Sequence, residues 1–361
     1  MSKEDKTDMY KVEKEFKKFF SYLFSKKKLK DYREKIREQM SPCPRELVYR
    51  EHSTSLYYYP GERKSQGKTP LLIIPSLVNK PCIMDLLPGE SFIEAMLKRG
   101  LAVYMFEWGE PTPGQKDFSL EYYLTHYIGR AVRRVLNHSG SKKVNLGGYC
   151  LGGGLALLYT ALDERKEVEK LITMVTPVNF EDRGLLSWWS KKQHFNVDKI
   201  VDSLGNIPGD FFAMSFPWLV PTAQLKKMRI LYENHENPEA LKSFMAIDIW
   251  LSENIGFPGE VYREIIKKGF QENTLIKNKA WVMQNRVAAL KNIDIPVLNL
   301  CASYDHVSPV ESCNILSELL SNAACESRTY PVGHLGIALG HGAPDGSLQI
   351  WDEISSWVVG K

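Results

Sequence analysis

Residues 144–162, VNLGGYCLGGGLALLYTAL, set a cysteine between glycines where an apolar run meets a helical one. Gly148, Tyr149, Cys150, Leu151 and Gly152 spell G-x-C-x-G, the nucleophile-elbow pattern G-x-S-x-G with sulfur in place of the hydroxyl. Small residues at 148 and 152 let a strand turn sharply into a helix, leaving the sulfur at the helix N-terminus, where unpaired N–H groups favour a negative charge. The competing reading is a structural cysteine at a glycine-rich turn. It fits Cys43, Cys82, Cys301, Cys313 and Cys325 better, because free cysteine is most often a small buried apolar residue.

A reactive thiol needs a base and a group to orient that base. Asp305, closing the strand-like run PVLNLCASYD, and His334, in YPVGHLG, both fall where apolar strand residues give way to a loop. With Cys150 they stand in the chain order nucleophile, acid, histidine. His341 in LGHG and His306 beside the acid compete with His334, which is preferred because it directly follows a strand-like run. Asp305 could either orient the imidazole or take a proton from a substrate; it could instead cap a helix. Ser308, Pro309 and Glu311 already supply an N-cap hydroxyl, a first-turn proline and a capping-box acid, making that role less necessary. A developing oxyanion needs two backbone donors: Leu151, after the nucleophile, and a residue of the loop PSLVNKP, where Val78 is preferred to Leu77.

These residues must be carried by a sheet. LVYREH and SLYYYP suggest an antiparallel pair leading into the buried run TPLLIIPSL. Helical SFIEAMLKRG, strand LAVYMFEWG, helical SLEYYLTHYIGRAVRRVLNHSG, strand KKVNLGGY, helical LGGGLALLYTALDER and strand KLITMVTPV then alternate, which predicts a mostly parallel sheet with helices on both faces. The alternation stops near Asn179 and resumes near Ile295. Between them lies a Trp-, Phe- and Met-rich region with helical spacing and no clear strand. The expectation is an α/β-hydrolase fold: a core over residues 46–180 and 290–361, an inserted mainly helical lid over 181–289, and an arm over 1–45.

The arm carries the charge. Residues 1–40 hold 11 Lys and 2 Arg against 8 acidic residues, so their +5 leaves about −1 for the remainder of a chain whose net charge is +4. Val12, Phe16, Phe19, Phe20 and Leu23 recur among its lysines as on an amphipathic helix. Hydrophobic residues at 43% and charged ones at 25% of 361 describe an ordinary globular chain. With no apolar run long enough for a membrane span and no secretory signal, a cytoplasmic location is expected. Scattered cysteines suggest no metal site, GGYCLGGG is no dinucleotide or Walker loop, and no nucleic-acid partner is indicated.

The elbow GGYCLGG, the stretch LVNKPCIMDLLPGESFIEAMLKRGLAVYMFEWGEP, the segment FNVDKIVDSLGNIP, the acid motif ASYDHVSP and the histidine motif VGHLG together resemble the polyhydroxyalkanoate synthases, from about residue 45 to the C-terminus. The short length is similar to the catalytic subunit of the two-component, class III or class IV, enzymes. The resemblance implies an acyltransferase that moves 3-hydroxyacyl groups from coenzyme A onto Cys150 and extends a polyester. In that family His334 would activate the thiol and Asp305 the 3-hydroxyl of the next unit. It also implies a second subunit, a granule surface and a homo-dimer as associations, with coenzyme A entering only as part of the substrate. A cysteine hydrolase of the thioesterase or dienelactone-hydrolase kind and a non-catalytic granule-associated protein are the alternatives.

Overall fold

Runs of aliphatic residues with no polar alternation belong in strands covered on both faces, and the computed structural model places them there. It describes residues 26–61, 68–219, 237–340 and 350–360, with Arg229 and Glu233. One sheet holds β1 (Glu46–Glu51), β2 (Thr54–Tyr59), β3 (Leu71–Ile74), β4 (Val103–Glu107), β5 (Val144–Tyr149), β6 (Val168–Met174), β7 (Val297–Ala302) and β8 (Cys325–Tyr330). Their order is β1-β2-β4-β3-β5-β6-β7-β8. β2 runs antiparallel to both neighbours and every other pairing is parallel, the α/β-hydrolase arrangement. All residues of β3, β5 and β7 are buried, whereas β1 and β8 at the edges are largely accessible.

The two-residue period of each strand divides the core. Leu72, Ile74 and Leu146 face one layer, with the helix Leu151–Leu162, and Leu71, Ile73, Leu298 and Leu300 face the other, with Ile337, Ile354 and Val358. Across β6, β7 and β8 a buried polar row fixes register. Thr173 Oγ1 donates to Asn299 Oδ1 at 2.9 Å, and Asn299 Nδ2 donates to Ser327 Oγ and the Cys313 carbonyl, each at 3.1 Å. A slip of one residue would break all three bonds and reverse every side chain.

Between β6 and β7 the chain is mainly helical, including Leu185–Ser190, Val197–Leu204, Gly209–Ser215, Pro238–Ser252 and Gly259–Glu264. Contrary to expectation it also holds a hairpin, Ala280–Val282 with Val287–Ala289. Strands of three residues are too short to show a two-residue period. Of the arm, the helix Lys26–Arg37 packs on the helix Pro238–Ser252. Its Ile36 is buried, Arg33 pairs with Asp248, and Arg37 reaches Glu253 at 2.5 Å. The expected stripe Val12, Phe16, Phe19, Phe20 and Leu23 lies outside the described residues. Among the described residues no helix is long and apolar enough to cross a membrane.

The turn from β5 into the helix Leu151–Leu162 is as tight as backbone permits. A Cβ on Gly148 would stand 2.4 Å from Gly153 Cα, and one on Gly152 would stand 2.2 Å from the Ile74 carbonyl oxygen. Gly154, one turn in, has open space around that position. Gly152→Ala should therefore cost about 1–3 kcal/mol of stability through overpacking. Gly154→Ala should add up to about 1 kcal/mol through helix propensity. Denaturant unfolding of both variants checks this, and equal effects would contradict the assigned contacts.

Candidate active site

The elbow holds Cys150 at φ 55°, ψ −125°, a conformation that L-residues adopt only when their surroundings enforce it. Two backbone bonds do so. The Cys150 amide donates to the Met174 carbonyl at 2.8 Å, and its own carbonyl accepts from the Gly153 amide at 2.9 Å. The first ties the turn to β6 and the second starts the helix. Cys150 is only partly buried, while its neighbour Tyr149, still a strand residue, is 3% exposed.

Asp305 sits in the loop after β7 with no accessible side-chain surface. Its Oδ1 accepts the amides of Val307 and Ser308, both at 2.8 Å, and its Oδ2 meets His334 Nδ1 at 2.6 Å. His334 opens the helix His334–Leu339 after β8, with its side chain 14% accessible. The Tyr149 hydroxyl donates to the His334 carbonyl at 3.2 Å and the Tyr149 ring lies 5.3 Å from the imidazole. Burial opposes the imidazolium. The charges of Asp305 and of a Cys150 thiolate, with hydrogen bonds to both, outweigh it and lift His334 to about 10. With Nδ1 committed to Asp305, the second ring nitrogen is left for proton exchange at sulfur.

The structure thus brings Cys150, His334 and Asp305 into one contiguous relay. His306 is exposed outside it, and His341 lies outside the described residues. The expected capping arrangement is different. The helix Val310–Cys313 has Pro309 at its N-cap with no side-chain cap, and Asp305 itself takes the turn amides. Ser308 Oγ is buried and has no hydrogen-bond partner among the described residues. The helix starts one residue later than the motif implies, and the Ser308 hydroxyl does not cap it.

A cavity of about 310 Å³ is bounded by Cys150, Leu151, Val78, His334 and Ser308 on the sheet side. The region between β6 and β7 supplies its apolar wall, with Phe180, Trp189, Phe212, Trp250 and Phe270 among the lining residues. Val78 and Leu151 therefore both border the space beside the sulfur. Leu77 is buried in the core instead. The Val78 amide has only a long contact, 3.5 Å, to Ser76 Oγ, while its carbonyl accepts from Ile255 at 2.9 Å. The aromatic wall was legible as helical spacing; which residues reach the sulfur was not.

Fold and site define an α/β-hydrolase-type protein with a cysteine at the elbow, and the family model for the alpha/beta hydrolase fold matches residues 69–340. A second model, the poly-beta-hydroxybutyrate polymerase (PhaC) N-terminus, matches residues 23–96. The poly(3-hydroxyalkanoate) polymerase subunit PhaC of Allochromatium vinosum is 35% identical over 319 residues, 87% of this chain and 88% of that protein. The chain belongs to this poly(3-hydroxyalkanoate) polymerase family. The protein of the same name from Haloferax mediterranei is 31% identical over 88% of this chain, which spans 64% of that relative's length. The monoacylglycerol lipase of Paleococcus ferrophilus shares the fold, with a TM-score of 0.51 at 14% identity over 84% of this chain and 98% of that one. The family likeness reaches back to residue 23, ahead of the expected start near 45. The docked helix Lys26–Arg37 falls inside it.

The shift at His334 has a definite sign. A proton held to about 10 in the folded chain, against an ordinary 6.5, stabilises the fold fully below pH 6.5. That stabilisation is lost as pH rises through about 10. The His334 imidazole should titrate near 10 by NMR, and Asp305→Asn should move it down toward 6.5. Titration of the wild-type ring at or below 6.5 would remove the ion-paired reading of the site.

Proposed function

We propose that this protein is an acyltransferase that builds a polyester from (R)-3-hydroxyacyl-coenzyme A, with Cys150 as nucleophile, His334 as its acid and base, and Asp305 as the group that orients and charges His334. The observation that carries this reading is the Cys150–His334–Asp305 relay opening onto an apolar cavity. In the first step the sulfur of Cys150, its proton on His334, attacks C1 of the thioester. The bond from C1 to the coenzyme A sulfur breaks, and His334 returns the proton to that sulfur. The oxyanion formed in between meets the backbone amides of Val78 and Leu151.

In the second step the 3-hydroxyl oxygen of another unit attacks C1 of the cysteinyl thioester. Its proton passes to His334, an ester bond forms, and Cys150 is released as the thiolate. Because the Asp305 side chain has no accessible surface and both its oxygens are engaged, the hydroxyl meets His334, and Asp305 acts through it. This differs from the role the family resemblance implied for Asp305. The acyl-enzyme is a thioester like the donor, so groups load and leave without a deep trap. Residues 181–289 serve as a lid whose aromatic wall keeps water from the thioester, over a core of 46–180 and 290–361. A second subunit, a homo-dimer, and a granule surface in the cytoplasm complete the reading, and no group beyond the substrate's coenzyme A is called for.

Incubation with 3-hydroxybutyryl-CoA, with and without a second subunit, tests the proposal by following free coenzyme A and product size together. High-mass polyester is the expected product, and Cys150→Ala should lower coenzyme A release by at least about 10³-fold. Free hydroxy acid as the only product would make the protein a hydrolase. Retention of release by Cys150→Ala would remove the nucleophile.

A further inference from the structure

The loop that follows β3 is held from outside along its length. The Pro75 carbonyl accepts from the Trp108 indole at 3.0 Å, and the Val78 carbonyl accepts from the Ile255 amide at 2.9 Å. Asn79 Nδ2 donates to Asn254 Oδ1 at 2.5 Å, within an antiparallel bridge between the two residues, and the Lys80 carbonyl accepts from the Trp250 indole at 2.8 Å. All but the first of these bonds come from residues 250–255, where the helix Pro238–Ser252 ends and the chain leaves it.

That stretch is itself anchored. Ile207 and Phe257 exchange both backbone bonds at 2.8 Å, and the Gly256 amide donates to Glu110 Oε2 at 2.9 Å. Lys80 also pairs with Glu253 at 2.7 Å, but its side chain is 47% accessible, and exposed pairs contribute little. The hold therefore falls to the backbone bridge and to the partly buried pair of asparagines.

What is held is a piece of the cavity wall. Val78 and Asn79 both line the cavity with Cys150. The carbonyl of the first and the side chain of the second are tied to the inserted region, while the Val78 amide keeps only its 3.5 Å contact to Ser76 Oγ. A donor that meets charge as it develops is effective when it is fixed beforehand, because turning it during the reaction would consume the stabilisation it gives.

We infer that Asn254 and Asn79 are a pair of positioning residues that hold the Val78 amide beside the Cys150 sulfur. The assignment rests on the acyltransferase reading, in which that amide meets the oxyanion, and deepens it: the region between β6 and β7 covers the cavity and also sets a donor of the acylation step. Losing an oxyanion donor outright costs about 10²–10³-fold in rate, and letting one drift costs less, on the order of tenfold.

The test compares two reactions of the same sulfur in the full chain. Single-turnover loading from 3-hydroxybutyryl-CoA, read by intact-protein mass spectrometry, passes through an oxyanion. Alkylation of Cys150 by iodoacetamide, read by peptide mass spectrometry, forms the sulfur–carbon bond with loss of iodide and develops none. Asn254→Ala and Asn79→Ala should each slow loading about tenfold and leave alkylation of Cys150 within about twofold of wild type. Because both remove the same bond, the double variant should load no more slowly than either single one. Unchanged loading in the single variants overturns the assignment. So does an equal fall in loading and alkylation, which would mark damage to the thiol or the fold, and so does a double variant in which the two losses multiply. A wild-type chain that is alkylated at Cys150 but never loaded overturns the acyltransferase reading itself, which separates the two failures.

Discussion

The site depends on a backbone conformation that cysteine does not adopt unaided. At φ 55°, ψ −125°, Cys150 stands between a strand and a helix that approach closely enough for Gly148 and Gly153 to be in contact. Conformations of this kind cost on the order of 1–3 kcal/mol, so the rest of the fold must over-determine them. It does so through β5, which is central: Gly148 pairs with Ile74 on one side and Thr173 on the other. Met174, next along β6, then takes the Cys150 amide. The strain is held by two ladders, and the sulfur cannot relax into the core without breaking one of them.

The second constraint is a carboxylate with no access to water. Removing an ionised group from solvent costs several kcal/mol unless partners replace its hydration. Asp305 has three: two backbone amides from its own turn and the His334 imidazole. The amides are fixed by loop geometry, so the ring must come to Oδ2 in one orientation. Register matters here as well. Asn299, clamped between Thr173 and Ser327, sets β7 against β6 and β8, and these strands carry the loops of Asp305 and His334. The alignment of acid and histidine is therefore a property of the sheet.

Strands and helices were legible because their hydrophobic periods are long and uninterrupted, as in LLII or the helix after the elbow. The placement of Cys150, Asp305 and His334 at strand ends was legible because each follows such a run. The hairpin Ala280–Val282 with Val287–Ala289 was not, since three residues carry no period. Ser308 was misread for a related reason. Ser-Pro-x-Glu fits a helix start, and only the fold reveals that Asp305 turns the chain at Val307 and Ser308 and that the helix begins one residue later, with Pro309 at its N-cap and no side-chain cap. The inward face of the aromatic region was equally hidden, because helical spacing says which residues share a face and not what that face covers.

His334 links these constraints to chemistry. Its affinity for a proton is raised by interactions with two side chains, Asp305 and Cys150, and they differ in kind. Asp305 is held in place by the Val307 and Ser308 amides. Cys150 differs because, on the proposed mechanism, it is the group that is acylated, and acylation removes it from the hydrogen bond with the ring. On that proposal, loading an acyl group would remove one of the causes that raise His334 and leave the ring a better base for the proton of an incoming hydroxyl. The proposed transfer also requires the ring to meet a hydroxyl before water, and the largely aromatic wall of the cavity would favour that by offering few polar groups on which water could be held.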